Sequence, residues 1–269
     1  MDHKVVLVTG GSSGIGKSIG TYLVAKGLTV YGTTRTLEKS QGFDGFTLLR
    51  MDVGNPETIL AACNEIIRRE GRLDVVINNA GIGITGPIEE TPQEEMQKAF
   101  DTNFFGPINV MKAVLPQMRK QKKGLVVNIT SIAGYMGLPY RGIYSASKGA
   151  LELVTEAMRM ETKDFGIRIT NLAPGDFATN IAAGRYHAPV QMDSPYRLPY
   201  GNTLKMMDRD VNNGGDPERV AEKVYDILRK DSPKIHYKVG AFMQRISLLL
   251  KKILPDKVFE KLLLNHYKL

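Results

Sequence analysis

A chain of 269 residues, 42% hydrophobic and 24% charged, has the size and composition of one large α/β domain or two small ones. Its single cysteine, Cys63, excludes an intrachain disulfide and a cysteine-built zinc site, fits a reducing, cytoplasmic setting, and leaves no metal centre expected. No apolar run approaches the roughly 20 residues of a membrane span, and a strand pattern begins directly after Lys4, with no signal peptide. The net charge of +8 is uneven: residues 230–269 hold nine Lys or Arg against three Asp or Glu, so the basic balance belongs to a tail and gives no support for nucleic-acid binding.

Residues 5–9 form a short β-branched run, read as a buried strand, followed by Gly10, Ser12, Ser13, Gly14, Ile15 and Gly16 and then by a helical pattern at Ile19, Leu23 and Val24. Strand, glycine-rich turn and helix open a dinucleotide-binding βαβ unit. The glycines let the backbone approach a pyrophosphate, and the helix start offers free N–H groups to it. The spacing, G-x-x-x-G-x-G, differs from the commoner G-x-G-x-x-G. A second strand over 28–34 ends in Thr34 and Arg35, where an NAD-specific site would carry an acidic residue for the ribose hydroxyls. Arg35 is instead suited to a 2′-phosphate, which favours NADP(H) over NAD(H).

A third strand over 46–53 ends at Asp52 and Val53, and an amphipathic helix over 56–69 starts with Pro56. The fourth strand, 73–79, closes in Asn79, Ala80 and Gly81, small enough for a cofactor to lie against. Thr91-Pro92-Gln93-Glu94 starts a helix running to about Gln121 with Asn103 on it. The fifth strand, 124–129, leads to Thr130 and Ser131; a helix carrying Tyr144 and Lys148 runs to about Phe165; the sixth strand ends in Pro174 and Gly175. Residues 177–215, rich in Pro, Gly, Met and Tyr, read as a long functional loop, a lid over the substrate. A helix from Asp216 to about Lys230 and a last strand over 234–239 complete the alternation. The expected fold is a Rossmann-type, doubly wound, seven-stranded parallel sheet with helices on both faces, one domain over residues 1–240, extended by a basic amphipathic helical segment over 241–269.

Tyr144 and Lys148, four apart on a helix, share one face. A tyrosine is a poor acid–base group at neutral pH, and a lysine one turn away stabilises its phenolate. Together with Thr9-Gly10, Gly14-Ile15-Gly16, Asn78-Asn79-Ala80-Gly81, Asn103, Ser131 thirteen residues before Tyr144, and Pro174-Gly175, this order resembles the short-chain dehydrogenase/reductase family over residues 4 to about 240. The resemblance implies that Tyr144 is the general acid in reduction and base in oxidation. Ser131 would bond the substrate carbonyl oxygen, Lys148 would hold the nicotinamide ribose and assist Tyr144, and Asn103 would hold a relay water. Asp52 and Val53 would contact adenine, Asn79 to Gly81 the adenosine and ribose side, and Thr179 the carboxamide or pyrophosphate. Many NADP-binding members carry Lys or Arg where this chain has Ser13, which leaves Arg35 as the one 2′-phosphate partner.

Substrate contacts are expected from Tyr135, Met136, Leu138, Tyr140 and the 177–215 segment, and so a lipophilic carbonyl or alcohol; the layout is most similar to the hydroxysteroid and retinol dehydrogenase branch. A non-catalytic NADP-binding sensor is the alternative, and a homo-oligomer, dimer or tetramer, is expected. In the tail, Phe242, Ile246, Leu249, Ile253, Val258 and Leu262 recur at helical spacing among Lys251, Lys252, Lys257 and Lys261, suited to an anionic membrane surface, a subunit contact, the substrate entrance or the domain core.

Overall fold

The computed structural model describes residues 4–38, 42–177, 184–212 and 214–269. In chain order it comprises β1 (Val5–Val8), α1 (Gly14–Ala25), β2 (Thr29–Thr34), β3 (Thr47–Arg50), α2 (Pro56–Glu70), β4 (Val75–Asn78), β5 (Ile84–Thr85), α3 (Gln93–Phe100), α4 (Gly106–Gln121), β6 (Gly124–Ile129), α5 (Gly142–Glu161), β7 (Ile167–Pro174), β8 (Tyr186–His187), α6 (Arg197–Asn212), α7 (Glu218–Leu228), β9 (His236–Val239), α8 (Phe242–Ile253) and α9 (Asp256–Tyr267). Seven strands form a parallel sheet in the order β3-β2-β1-β4-β6-β7-β9. The order reverses between β1 and β4, and a crevice opens there at the carboxyl ends of the strands.

Alternation along β1 shows why both faces are covered. Val5 and Leu7 enter one core with Ile59 and Ile66 of α2 and Val110, Met111 and Met118 of α4. Val6 and Val8 enter another with Ile19 and Leu23 of α1 and Val220 and Val224 of α7. A strand apolar at every position must be buried on both sides, because successive side chains point to opposite faces. Each of these fully buried aliphatic side chains contributes roughly 1.5–3 kcal/mol of burial. Helix α2 is bounded as its sequence suggests: Asn55 caps Glu57 N–H at 2.9 Å, Pro56 opens the first turn, and Gly71 (φ +69°) ends it.

Two expectations change. The helix expected from Gln93 to Gln121 is interrupted by a π turn at Asp101–Phe105, with Asn103 at its centre and fully buried. The segment 177–215 is not one loop: β8 pairs in parallel with β5, and α6 follows. Tyr200 of α6 is buried, its hydroxyl donating to the carbonyls of Ala188 (3.0 Å) and Thr85 (3.2 Å), which pins this segment to the edge of the cleft. The tail helices lay Leu248 and Phe259 on Ile132, Met136 and Ala173.

Candidate active site

The cleft at the switch point encloses about 750 Å³. Its floor is built by the turns after β1 and β4. Thr9 Oγ1 accepts from the backbone N–H groups of Asn79 (3.0 Å) and Ala80 (2.9 Å), and Asn79 Nδ2 donates to the carbonyls of Thr9 (3.0 Å) and Gly10 (3.3 Å). Glycine is required here. Gly10 has φ +64°, and a Cβ on Gly16 would stand 2.2 Å from Gly10 O and 2.5 Å from Asn79 Nδ2. Ser13 caps α1 without a side-chain bond to it, so the first N–H groups of the helix are left for a ligand; Ser12, Ser13, Gly14 and Ile15 line the cleft. A cradle that excludes even a methyl group, opening onto a free helix start, fits the pyrophosphate of a dinucleotide.

Arg35, Asp52, Val53, Asn79, Ala80 and Gly81 line the same cleft, as do Ser131, Tyr144, Lys148, Pro174 and Gly175 toward its other end. Gly16 supports the turn from behind, and Thr179 lies outside the described residues. Lys17, one helical turn after Ser13, also lines the Arg35 end, its ammonium 5.3 Å from the Phe43 ring centre. The sequence reading missed it, although spacing along α1 puts residues 13 and 17 on one face.

At the other end the strand terminus 129–131 is held residue by residue. Lys148, buried, donates from Nζ to Ile129 O at 3.0 Å. Thr130 Oγ1 donates to the Glu152 carboxylate. Ser131 Oγ accepts from Ala133 N–H at 3.2 Å, which leaves its own proton to donate toward the cleft. Burial pulls the Lys148 pKa down from 10.5 to about 8, opposed by the charge of Glu152. Asn103 sits behind Lys148: its Oδ1 accepts from Ile82 N–H and its Nδ2 donates to Ile82 O, both at 2.9 Å, and Nδ2 also reaches Ser147 Oγ at 3.2 Å. A Cβ at Gly81 would lie 3.1 Å from Asn103 Oδ1 and 3.4 Å from Lys148 Nζ, so the absence of a side chain there keeps a space that both polar groups face.

Of the residues expected to meet substrate, Phe177 and Arg185 of the 177–215 segment line the cleft, while Tyr135, Met136, Leu138 and Tyr140 do not. Tyr135 points its hydroxyl at Glu152 (2.8 Å), Met136 and Leu138 pack with the tail helices, and Tyr140 stacks on Tyr200 with ring centres 5.2 Å apart. The far wall of the cleft is instead lined by Ile82, Ile84, Thr85, Arg141, Asp176, Phe177 and Arg185. The Arg141 guanidinium lies 5.4 Å from the Tyr144 ring centre. Arg141 could have been noted as the residue preceding the Tyr144 helix. Arg185 could not, because only the β5–β8 pairing brings it back over Gly83. Among the described residues no group of His, Cys, Asp or Glu is arranged to hold a metal.

Comparison with known proteins agrees with this geometry. The family described as short chain dehydrogenase matches residues 4–189. A 3-ketodihydrosphingosine reductase of Bacteroides thetaiotaomicron is 38% identical over 261 residues, covering 97% of this chain and 96% of its own. A short-chain dehydrogenase from Streptomyces avermitilis superposes with a TM-score of 0.81 at 32% identity, covering 100% of this chain and 97% of that one. ElxO, solved with NADP bound, superposes at 0.72 with 30% identity, covering 89% and 96%. Complexes with NAD also occur among similar structures.

Proposed function

This chain belongs to the short-chain dehydrogenase family and is an oxidoreductase acting on CH–OH groups, and we propose that it is an NADP(H)-dependent reductase of a ketone carried by a long-chain lipid. The observation that carries the chemistry is the convergence of Tyr144, Lys148 and Ser131 on one end of a cleft whose other end carries the glycine cradle. NADPH, when bound, supplies the hydride. Ser131 donates a hydrogen bond to the carbonyl oxygen and stabilises the charge that develops there. Tyr144 donates a proton to that oxygen, with the Lys148 ammonium one turn away favouring the phenolate that remains. Lys148 would also hold the nicotinamide ribose, and the space over Gly81 that Asn103 and Lys148 face would admit a water to return the proton from solvent.

For the cofactor, Arg35 and Lys17 both line the cleft, and among the described lining residues near them Asp52 is the carboxylate. Two cations suit a 2′-phosphate better than two ribose hydroxyls. For the substrate, Ile82, Ile84 and Phe177 offer an apolar wall, while Arg141 and Arg185 favour hydrogen-bond acceptors near the reacting carbon. The similarity to a 3-ketodihydrosphingosine reductase favours a 3-keto lipid over a steroid or retinoid ring system. A second copy of the chain would cover Phe105, Leu153 and Met160, which stand exposed on α5 and beside it, and this supports a homo-oligomer.

The outer face of the tail supports contact with an anionic membrane surface. Phe242, Leu249 and Ile253 of α8 and Val258 and Leu262 of α9 are exposed beside Arg245, Lys252, Lys257 and Lys261. Two such faces brought together in a dimer would oppose like charges, whereas acidic headgroups complement them.

The decisive assay follows loss of reduced-cofactor absorbance with NADPH and a ketone panel that includes a 3-keto sphingoid base and a steroid ketone. Turnover by the wild type, abolished in Tyr144→Phe with NADPH binding retained, is the expected result. Undiminished turnover in Tyr144→Phe overturns the mechanism, and cofactor binding without turnover of any carbonyl returns the chain to the sensor alternative.

A further inference from the structure

One face of α5 carries Tyr144, Lys148 and Glu152 at successive turns. The first two line the cleft; Glu152 is 5% exposed and does not. A carboxylate buried so deeply costs several kcal/mol unless its oxygens are satisfied. Four groups satisfy these. Oε1 accepts from Thr130 Oγ1, and Oε2 faces Tyr135 Oη at 2.8 Å, Asn171 Nδ2 at 2.9 Å and His236 Nδ1 at 2.8 Å. Thr130 ends the segment that presents Ser131, Tyr135 closes the turn after it, Asn171 is on β7 and His236 opens β9. One side chain therefore ties α5 to β7, to β9 and to the segment that carries Ser131.

The other ring nitrogen of His236, Nε2, lies 3.0 Å from Glu156 Oε1. The imidazole thus stands between Glu152 and Glu156, one turn apart on α5, and joins β9 to that helix. Among the described residues the other charged neighbours of Glu152 are Lys148 on α5 and Lys238 on β9, whose ammonium stands 4.5 Å from the Tyr135 ring centre. Lys148 itself has a carbonyl as its hydrogen-bond acceptor and is deprived of water, so the negative charge one turn further along the helix is what favours its ammonium form.

We propose that Glu152 is a positioning residue for the reduction proposed above: its carboxylate supplies the charge that the buried Lys148 requires and, through Thr130 and Tyr135, fixes the strand end that presents Ser131, with Asn171 and His236 holding it in place. The inference rests on the oxidoreductase reading for its kinetic consequence, but its electrostatic half is independent of turnover.

Two measurements test it. In the first, kcat/KM is followed against pH for wild type, Glu152→Gln and Glu152→Asp. The isosteric Gln variant removes the charge and should shift the alkaline limb down by about one pH unit, the scale of a unit charge acting across roughly 10 Å at an effective dielectric near 20. Its kcat above that limb should drop about 10-fold with little change in the KM for NADPH, and the Asp variant should restore the wild-type limb. In the second, the urea midpoint is followed from pH 6 to 10 for wild type, Glu152→Gln, Lys148→Met and the double variant. The alkaline rise caused by Lys148 should begin at lower pH in Glu152→Gln, and Glu152→Gln should produce no such shift when Lys148 is already Met. A Gln variant whose pH profile and midpoint curve merely scale or translate, without moving along the pH axis, overturns the proposal. Failure of the first measurement in a wild type without turnover, with the second as expected, would count against the oxidoreductase reading and not against the Glu152–Lys148 coupling. If Glu152→Gln does not fold, the Asp variant must keep the wild-type onset, and loss of it overturns the inference.

Discussion

Asn103 and Ile82 exchange two hydrogen bonds, each 2.9 Å, across the gap between the π turn and the strand end after β4. A regular α-helix uses its own backbone groups every turn; the extra residue of the π turn swings Asn103 inward to reach a chain segment it does not follow in sequence. Asn103→Leu keeps the volume but leaves the Ile82 N–H and carbonyl without partners, at about 1–3 kcal/mol each. The expected result is a urea-unfolding loss of about 2–4 kcal/mol together with lower kcat. Undiminished stability would mean that this exchange does not organise the site.

Arg35 and Lys17 should act as a pair on cofactor choice. Either Arg35→Ala or Lys17→Ala should raise the KM for NADPH about 10-fold or more, as expected for loss of a charge-assisted phosphate contact, with little change for NADH. The double variant should prefer NADH. Equal or better wild-type kcat/KM with NADH than with NADPH would refute NADP preference.

Lys148 makes stability depend on pH in a definite direction. Its folded pKa of about 8 lies below its ordinary 10.5, so the unfolded chain binds the extra proton between those values and stability rises with pH across that window. Below about pH 8 the full cost of burying the ammonium is present, and it is relieved as pH climbs toward 10.5. The shift corresponds to about 3 kcal/mol as an order of magnitude. Subtracting the urea-unfolding curve of Lys148→Met from that of the wild type should isolate this rise; a flat difference would contradict it.

The tail should distinguish lipid from protein partners. Full-length protein should sediment with vesicles containing an anionic phospholipid, less with neutral ones, and less again at high salt. Leu249→Glu with Ile253→Glu should abolish binding while leaving carbonyl reduction of a water-soluble ketone intact. Equal sedimentation with both vesicle types by the wild type and the double variant, or a dimer lost in the double variant with no vesicle binding, would refute the membrane contact.

Much of the site was legible because its chemistry is local. The Gly10–Gly16 turn, the Tyr144–Lys148 pair and the small residues after β4 are short contiguous segments whose spacing is dictated by one helix turn or one tight backbone bend. The apolar runs at 5–8, 75–77 and 125–127 declared a parallel sheet because strands covered on both faces read as continuous apolar runs. The substrate wall was not legible in the same way. Tyr135 and Met136 follow Ser131 closely, yet their side chains leave the cleft for Glu152 and the tail, and the places they vacate fall to Arg141 and Arg185.

By itself the sequence determined the layered fold and placed the glycine turn and the candidate Ser131, Tyr144 and Lys148 set, each encoded by residues near one another in the chain. Only the tertiary structure decided what surrounds them: the π turn at Asn103, Lys17 in the same cleft as Arg35, the return of β8 that delivers Arg185, and the meeting of Glu152 with Thr130, Tyr135, Asn171 and His236. Burial and hydrogen-bond demand act between segments up to 101 residues apart in that last cluster, and no periodicity along a chain reports which distant partner will meet a buried carboxylate's need for donors.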